Sequence, residues 1–305
     1  MTSRLPASIA SRLSIPLIAA PMFKVTSPDL VIAACNAGVI GAIPVLNART
    51  TGQLVEWLAT IKAGLTPGAA PFAPNLIMRS DRLAADITAI LDAGTEVVIT
   101  SVGSPAPVMG PLHEAGALVL CDVATLEHAR KAVAAGVDGL ILLAAGAGGH
   151  TGWMNPFAFA RAVREFYDGI VIMAGGMSDG RALYAAQVLG CDLGYMGTRF
   201  IAATESFADD RYRDFLAQSE MDHIFTSSAL KGMPGNYLSK AFVAEGHDPR
   251  RLEASFPPPA DGSAPNYPES WMAGHTVSGV TGPVTTAALI AEIAAQYEEA
   301  RQTPV

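Results

Sequence analysis

The chain has 305 residues, half of them hydrophobic and only 16% charged, with a formal net charge of −8. That charged fraction is well under the ~25% of an average soluble domain, so a large buried core is expected. No lysine/arginine cluster offers the basic face that nucleic acid needs, and Cys35, Cys121 and Cys191 lack CxxC spacing, which argues against a disulfide framework or a metal site.

Arg4 and Arg12 precede an apolar run at 15–20, but the run is short and Pro16 interrupts it. A secretory signal is therefore disfavoured, and a cytoplasmic protein is expected. Apolar runs then alternate with helical patterns to beyond residue 200. Strands are predicted at Pro16–Ala20, Val39–Val45, Phe72–Ile77, Glu96–Val102, Ala117–Val123, Gly139–Ala144, Ile170–Ala174 and Leu193–Met196. Segments with 3.6-residue periodicity lie between them, among them Asp81–Ala93, Thr125–Ala135, Pro156–Tyr167 and Asp179–Leu189. Gly38, Gly94, Gly116, Gly136 and Gly190 each stand where a helix should stop, and Ser27-Pro28, Asn155-Pro156 and Ser178-Asp179 where one should start. Residues 139–160 carry no formal charge apart from a His150 proton, but their glycines, Asn155 and Pro156 make a membrane span unfavourable.

Eight strand–helix units predict an α/β fold, the (β/α)₈ TIM barrel, and their even spacing favours closure over a doubly wound open sheet. From about Ser206 the chain becomes richer in charge, proline and turn residues, including Pro257-Pro258-Pro259 and Asp261-Gly262. Thr285–Ala300 then reads as an amphipathic helix returning to the barrel. Residues 1–205 with 280–305 are thus expected to form the barrel, and 206–279 a helical and irregular lid over its C-terminal face, where barrel enzymes keep their sites. The pattern leaves the oligomeric state open.

Four features fall at predicted strand ends: Ala20-Pro21-Met22, the turn Gly148-Gly149-His150, Ala174-Gly175-Gly176, and Met196-Gly197-Thr198-Arg199-Phe200. The last two follow strands seven and eight, whose loops in many barrels bind phosphate through backbone N–H groups, and Gly175, Gly176, Gly197 and Thr198 suit that role better than tight packing alone. Gly146-Ala147-Gly148-Gly149 only loosely resembles a dinucleotide fingerprint and lies too deep in the chain. His150, flanked by glycines that give its ring little to pack on, is the candidate acid–base residue, because imidazole titrates nearest neutrality. Of the other histidines, His113 and His128 fall in predicted helices and His223 and His247 in the lid, whereas His275 lies where the lid returns past the mouth.

Together Ala-Pro-Met after strand one, Asn75 in strand three, Gly-Gly-His, Ala-Gly-Gly and Met-Gly-Thr-Arg-Phe resemble the nitronate monooxygenases, FMN-dependent barrels. The resemblance covers most of residues 13–205 and continues more loosely to 273–275. It implies FMN as cofactor, its phosphate on Gly175, Gly176, Gly197 and Thr198. Ala20, Pro21, Met22, Ala145, Gly148, Gly149 and Met196 would lie around the ring, and Asn75 would hydrogen-bond its polar edge. His150 would be the base or would position the substrate, with His275 and Tyr237 on the substrate side, and Trp153, Met154, Phe157 and Met233 as an apolar wall. Many relatives carry lysine or glutamine at the end of strand five, where this chain has Asp122, a carboxylate unable to donate a hydrogen bond when ionised.

The implied activity is oxidation of alkyl nitronates, and of nitroalkanes, by O2 to carbonyl compounds and nitrite. Flavin enoyl-acyl-carrier-protein reductases and NAD(P)H:quinone reductases share the scaffold, which makes an NAD(P)H-dependent flavin reductase the alternative. A flavin-binding protein without turnover is the third reading.

Overall fold

The computed structural model describes residues 4–230, 232–251 and 271–303. Its strands are β1 (Leu17–Ala19), β2 (Ile40–Pro44), β3 (Phe72–Ile77), β4 (Val97–Ser101), β5 (Leu118–Val123), β6 (Gly139–Leu143), β7 (Gly149–His150), β8 (Ile170–Ala174) and β9 (Leu193–Met196). All but β7 are parallel members of one closed barrel, in which β1 pairs with both β2 and β9. That pairing closes the ring and removes the open-sheet alternative. The eight predicted barrel strands are all present, trimmed by a residue or so at several ends.

Burial on both faces explains the near-continuous apolar runs. Ile18, Ala42, Ile99, Leu120, Ile141 and Ile172 point inward and fill the barrel, and Leu5 together with Ile9 of the short α1 (Ala7–Ala10) joins this interior cluster. The alternate positions, such as Leu17, Val98, Val119, Leu140 and Val171, pack outward against the helices. These are α2 (Pro28–Asn36), α3 (Thr51–Gly64), α4 (Leu83–Asp92), α5 (Ala106–Glu114), α6 (Leu126–Ala134), α7 (Pro156–Arg164) and α8 (Gly180–Val188). Ser27, Asn155 and Asp179 accept hydrogen bonds from the first turns of their helices, as the sequence signals require. Gly38, Gly94, Gly116, Gly136 and Gly190 all have φ between +63° and +95°, the left-handed conformation that ends a helix.

One buried ion pair fastens the N-terminal end of the barrel. Arg164, at the end of α7, contacts Asp192 at 2.6 Å and donates to the carbonyls of Gly190, Tyr167 and Gly169. Asp192, whose side chain is 4% exposed, also accepts from the backbone N–H of Val171 and Arg4. A cavity of about 170 Å³ lined by Arg12, Lys62, Phe72 and Glu96 lies at this same end, away from the strand C-termini.

After β9 come α9 (Thr198–Ile201) and α10 (Asp210–Ala217), and the chain ends on α12 (Thr286–Gln302), after the intervening α11 (Ser239–Ala244). The segment expected to be helical and irregular also contains a hairpin, β10 (Ile224–Ser227) and β11 (Gly235–Leu238). β11 pairs antiparallel with β7, so a three-stranded sheet joins the insertion to the glycine turn after β6. Four-residue strands containing Gly235 and Asn236 have too little apolar alternation to be read as strands. Tyr212, Leu216, Leu238 and Val277 pack the insertion onto Val25, Ile201 and Ala202 at the barrel top. The proline and Asp-Gly turn signals at 257–262 lie outside the described residues. Among the described residues no helix is long and apolar enough to cross a membrane.

Candidate active site

The strand C-termini bring the segments singled out in the sequence to one end of the barrel. Ala20 donates its N–H to the carbonyl of Met196 at 2.8 Å, which ties the loop after β1 to the loop after β9. The carbonyl of Met22 accepts from Val25, Thr26 and the Asn47 amide, so this loop is held in place. A Cβ built on Gly197 would lie 3.5 Å from both Ala20 Cβ and Met22 Sδ, ordinary contact distances.

The glycines divide into two kinds. Gly175 (φ +106°) presses on the preceding loop: a Cβ there would stand 2.9 Å from the Ala147 nitrogen. Gly148 is similar, with the Gly274 nitrogen 2.8 Å and Thr198 Oγ1 3.1 Å from its would-be Cβ. Both are glycine because backbone meets backbone. Gly176 (φ +75°) and Gly149 (φ +71°) have nothing within 4 Å of that position and so border open space. A cradle that a side chain would fill is what a bound group needs. The loop-seven pair thus serves packing at Gly175 and leaves room at Gly176.

Thr198 is 6% exposed, and its hydroxyl oxygen accepts from the Gly274 N–H at 2.9 Å. Its side chain therefore fastens the returning chain at the mouth. The arginine that follows it is also engaged: Arg199 donates to the Ser178 carbonyl and pairs with Glu292 of α12 at 3.2 Å.

His150 is half-buried in β7, directly opposite Gly235 of β11. Opposed residues of an antiparallel pair share a face, so His150 and Tyr237 lie on the same side of this small sheet. Tyr237 itself is fully buried in the aromatic core of the insertion, its ring centroid 5.7 Å from that of Phe225. Its hydroxyl lies 3.0 Å from where a Gly235 Cβ would be, turned toward the strand position that faces His150. His275 donates its N–H to the Gly146 carbonyl at 3.0 Å, and its Nδ1 stands 2.8 Å from the would-be Cβ of Gly146, so its ring covers the start of the turn. Ala145 is held by the Met154 carbonyl at 2.8 Å. Trp153 and Phe157 are 80% and 61% exposed and do not wall a closed pocket. His113 pairs with Asp138 on the barrel exterior, and His223 closes a turn on Glu220.

Sequence reasoning missed two groups. Asn236, 1% exposed, donates to the Ala147 carbonyl at 2.7 Å and accepts from Thr226, clamping the glycine turn from a position 89 residues away. Ser101, at the end of β4, bridges Asn75 and Asp122: Asn75 Nδ2 donates to Ser101 Oγ at 2.7 Å, which donates to Asp122 Oδ2 at 2.5 Å. The next residue, Val102, has φ +56°. A β-branched side chain in the left-handed region stores about 1–3 kcal/mol of strain, a cost that clusters at functional sites. Burial pushes the Asp122 carboxyl up to about 7, opposed by the Ser101 hydrogen bond. Burial also raises the Tyr195 phenol, with the nearby Asp122 charge adding to it.

The site thus offers a half-buried imidazole, an open glycine cradle and a buried polar chain under the mouth, with no cluster of metal-ligating side chains among the described residues. The sequence matches the profile of the nitronate monooxygenase family over residues 7–265. This chain belongs to the nitronate monooxygenase family. The nitronate monooxygenase of Paraburkholderia phytofirmans is 30% identical over 289 residues, covering 79% of this chain and 78% of that protein. A Mycobacterium tuberculosis relative, (3aS,4S,5R,7aS)-5-hydroxy-7a-methyl-1-oxo-octahydro-1H-indene-4-carboxyl-CoA dehydrogenase, is 29% identical over 231 residues, 75% of this chain and 64% of its own length. FabK from Thermotoga maritima superposes with a TM-score of 0.84 at 24% identity, covering 99% of this chain and 98% of FabK, which shows the shared barrel fold. As a nitronate monooxygenase family member, the chain is an oxidoreductase of a flavin-using group.

Proposed function

We propose that this family member is an FMN-dependent oxidoreductase that oxidises alkyl nitronates, and nitroalkanes after removal of their α-proton, with O2 to carbonyl compounds and nitrite. The observation that carries the reading is His150 held by β11 at the barrel mouth, beside a glycine cradle that borders open space. The residues fit FMN: Gly176, with Gly175, Gly197 and Thr198 around it, would hold the phosphate. Ala20, Pro21, Met22, Ala145, Gly148, Gly149, Met196, Asn75 and Asp122 would surround the ring. When bound, FMN supplies the electron acceptor and the oxygen chemistry that side chains lack.

The chain's own residues do the rest. The His150 imidazole takes the α-proton of a neutral nitroalkane, leaving the nitronate anion, and keeps that proton from returning to the carbon. Asn236 and Thr198 hold the turn and the returning segment in register, so that the imidazole and the cradle keep a fixed spacing. The described residues of 206–279 act as a lid that excludes water, over a barrel formed by the described residues of 1–205 and 280–305. His275, whose ring covers the start of the turn, would meet the substrate, whereas Tyr237, fully buried among Phe225 and Phe242, backs that face instead of contacting substrate.

Gly176→Ala is expected to weaken FMN binding about tenfold or more, equivalent to ~1.4 kcal/mol, because a methyl group would enter the space left for phosphate. Forcing alanine into the left-handed region adds only about 1–2 kcal/mol of strain, so the variant should stay folded. Fluorescence titration of FMN into the flavin-free proteins measures it; unchanged affinity would place the phosphate elsewhere. The activity itself is tested by anaerobic mixing: an alkyl nitronate should bleach the bound flavin.

A further inference from the structure

Asp122 is the one group at the mouth whose chemistry runs against its surroundings. It follows Leu120, which fills the barrel interior, by two residues on β5, so its side chain points inward under the mouth. Among the described residues, hydrogen bonds reach it from one direction only, from Asn75 through Ser101 to Oδ2. Asp122 is half-buried as a residue, and its other oxygen, Oδ1, is buried with no hydrogen-bond partner among the described residues. No lysine, arginine or histidine pairs with it among the described residues; the titratable groups around it are Tyr195 from β9 and Cys121 beside it on β5, both pushed up by burial and by the Asp122 charge. An ionised carboxylate here has a single neutral donor and one bare oxygen, whereas the neutral acid has no charge to solvate. The strained backbone at Val102 follows directly on Ser101, the donor that the carboxylate does have.

We propose that Asp122 is a proton switch coupled to the redox state of the cofactor: it takes up a proton as electrons enter the bound flavin and releases it on reoxidation. This rests on the FMN reading above. The electrons come from an alkyl nitronate, or from dithionite in the test, and they place negative charge on the ring. The proton comes from water and forms an O–H bond on the carboxyl, removing the like charge that a low-dielectric site would make costly. When O2 takes the electrons back, that O–H bond breaks and the proton returns to water. With the carboxyl of the flavin-free chain held near 7, its charge changes within the physiological range.

The test is the reduction equilibrium of bound FMN against a reference dye, over a pH series that includes pH 6 and pH 8, in the wild type and in Asp122→Asn. Between these pH values the wild-type reduction constant is expected to fall about tenfold more than that of the variant, the ratio given by one proton with a pKa near 7. Taking the difference between the two proteins removes the proton dependence of the dye, the FMN phosphate and the histidines. Ser101→Ala is the second variant: losing the one donor to the carboxylate should move the wild-type inflection to higher pH. Parallel curves for wild type and Asp122→Asn, or an inflection that Ser101→Ala leaves in place, would overturn the switch while leaving the FMN reading intact. Failure of all three proteins to retain FMN would overturn both.

Discussion

Replacing His150 with asparagine is expected to lower kcat/KM for neutral nitroalkanes by about 10²–10⁴-fold, the usual worth of a positioned general base. Preformed nitronates have already lost the α-proton, so their loss should be within about tenfold, the remainder reflecting substrate positioning. Asparagine keeps a polar side chain of similar reach, and the backbone pairing of residue 150 with Gly235 does not depend on the side chain. Steady-state kinetics on a nitroalkane and its own nitronate, at one pH and one oxygen concentration, gives the two ratios. Equal losses on both substrates would show that His150 positions rather than deprotonates.

The largest stability effect is expected at the other end of the barrel. Arg164→Ala should cost about 3–5 kcal/mol, because it strands the Asp192 charge in a buried position. It also takes the guanidinium from the carbonyls of Gly190, Tyr167 and Gly169, at 2.8, 3.2 and 2.7 Å. The Arg4 side chain, paired with Asp192 at 3.5 Å but 39% exposed, stays as a solvent-screened partner too weak to replace Arg164. Arg164→Lys should recover only part of the loss, since an ammonium cannot serve Asp192 and three carbonyls from one planar fork. Urea unfolding of the three proteins measures the effect; a loss below about 1 kcal/mol would mean the pair is solvated in solution.

The barrel was legible because its grammar is local. Each strand is a short apolar run, most of the barrel helices open on a residue such as Asn155 or Asp179 that caps its own first turn, and most close on a left-handed glycine within the next two positions. Placing the strand-end motifs at one mouth followed from that grammar, since parallel strands of one barrel end on one face. What the sequence concealed depends on distant partners. The pairing of His150 with Gly235 spans a sequence separation of more than eighty residues, and Asn236 looks like a turn residue until its amide is seen on the Ala147 carbonyl. Gly175 and Gly176 are indistinguishable as letters. Only the position of the Ala147 nitrogen shows that one packs and the other borders space. Ser101 gave no signal, being a common small residue at a strand end; its role exists only because Asn75 and Asp122 face it from neighbouring strands.

The Asp122 departure from the lysine or glutamine of many relatives also takes on a physical form. A half-buried carboxyl with one oxygen hydrogen-bonded and the other buried without a partner among the described residues is a poor permanent anion and a serviceable neutral acid near pH 7. The site therefore combines two titratable groups of different placement, an imidazole on the lid side and a carboxyl under the mouth.

The most direct measurement is anaerobic rapid mixing of the flavin-loaded protein with an alkyl nitronate and, separately, with NADH and NADPH, followed at the flavin absorbance. Rapid bleaching by the nitronate is expected and, when O2 is readmitted, return of the oxidised spectrum with release of nitrite. Rapid bleaching by a pyridine nucleotide, with none by the nitronate, would contradict it and make the protein an NAD(P)H-dependent flavin reductase.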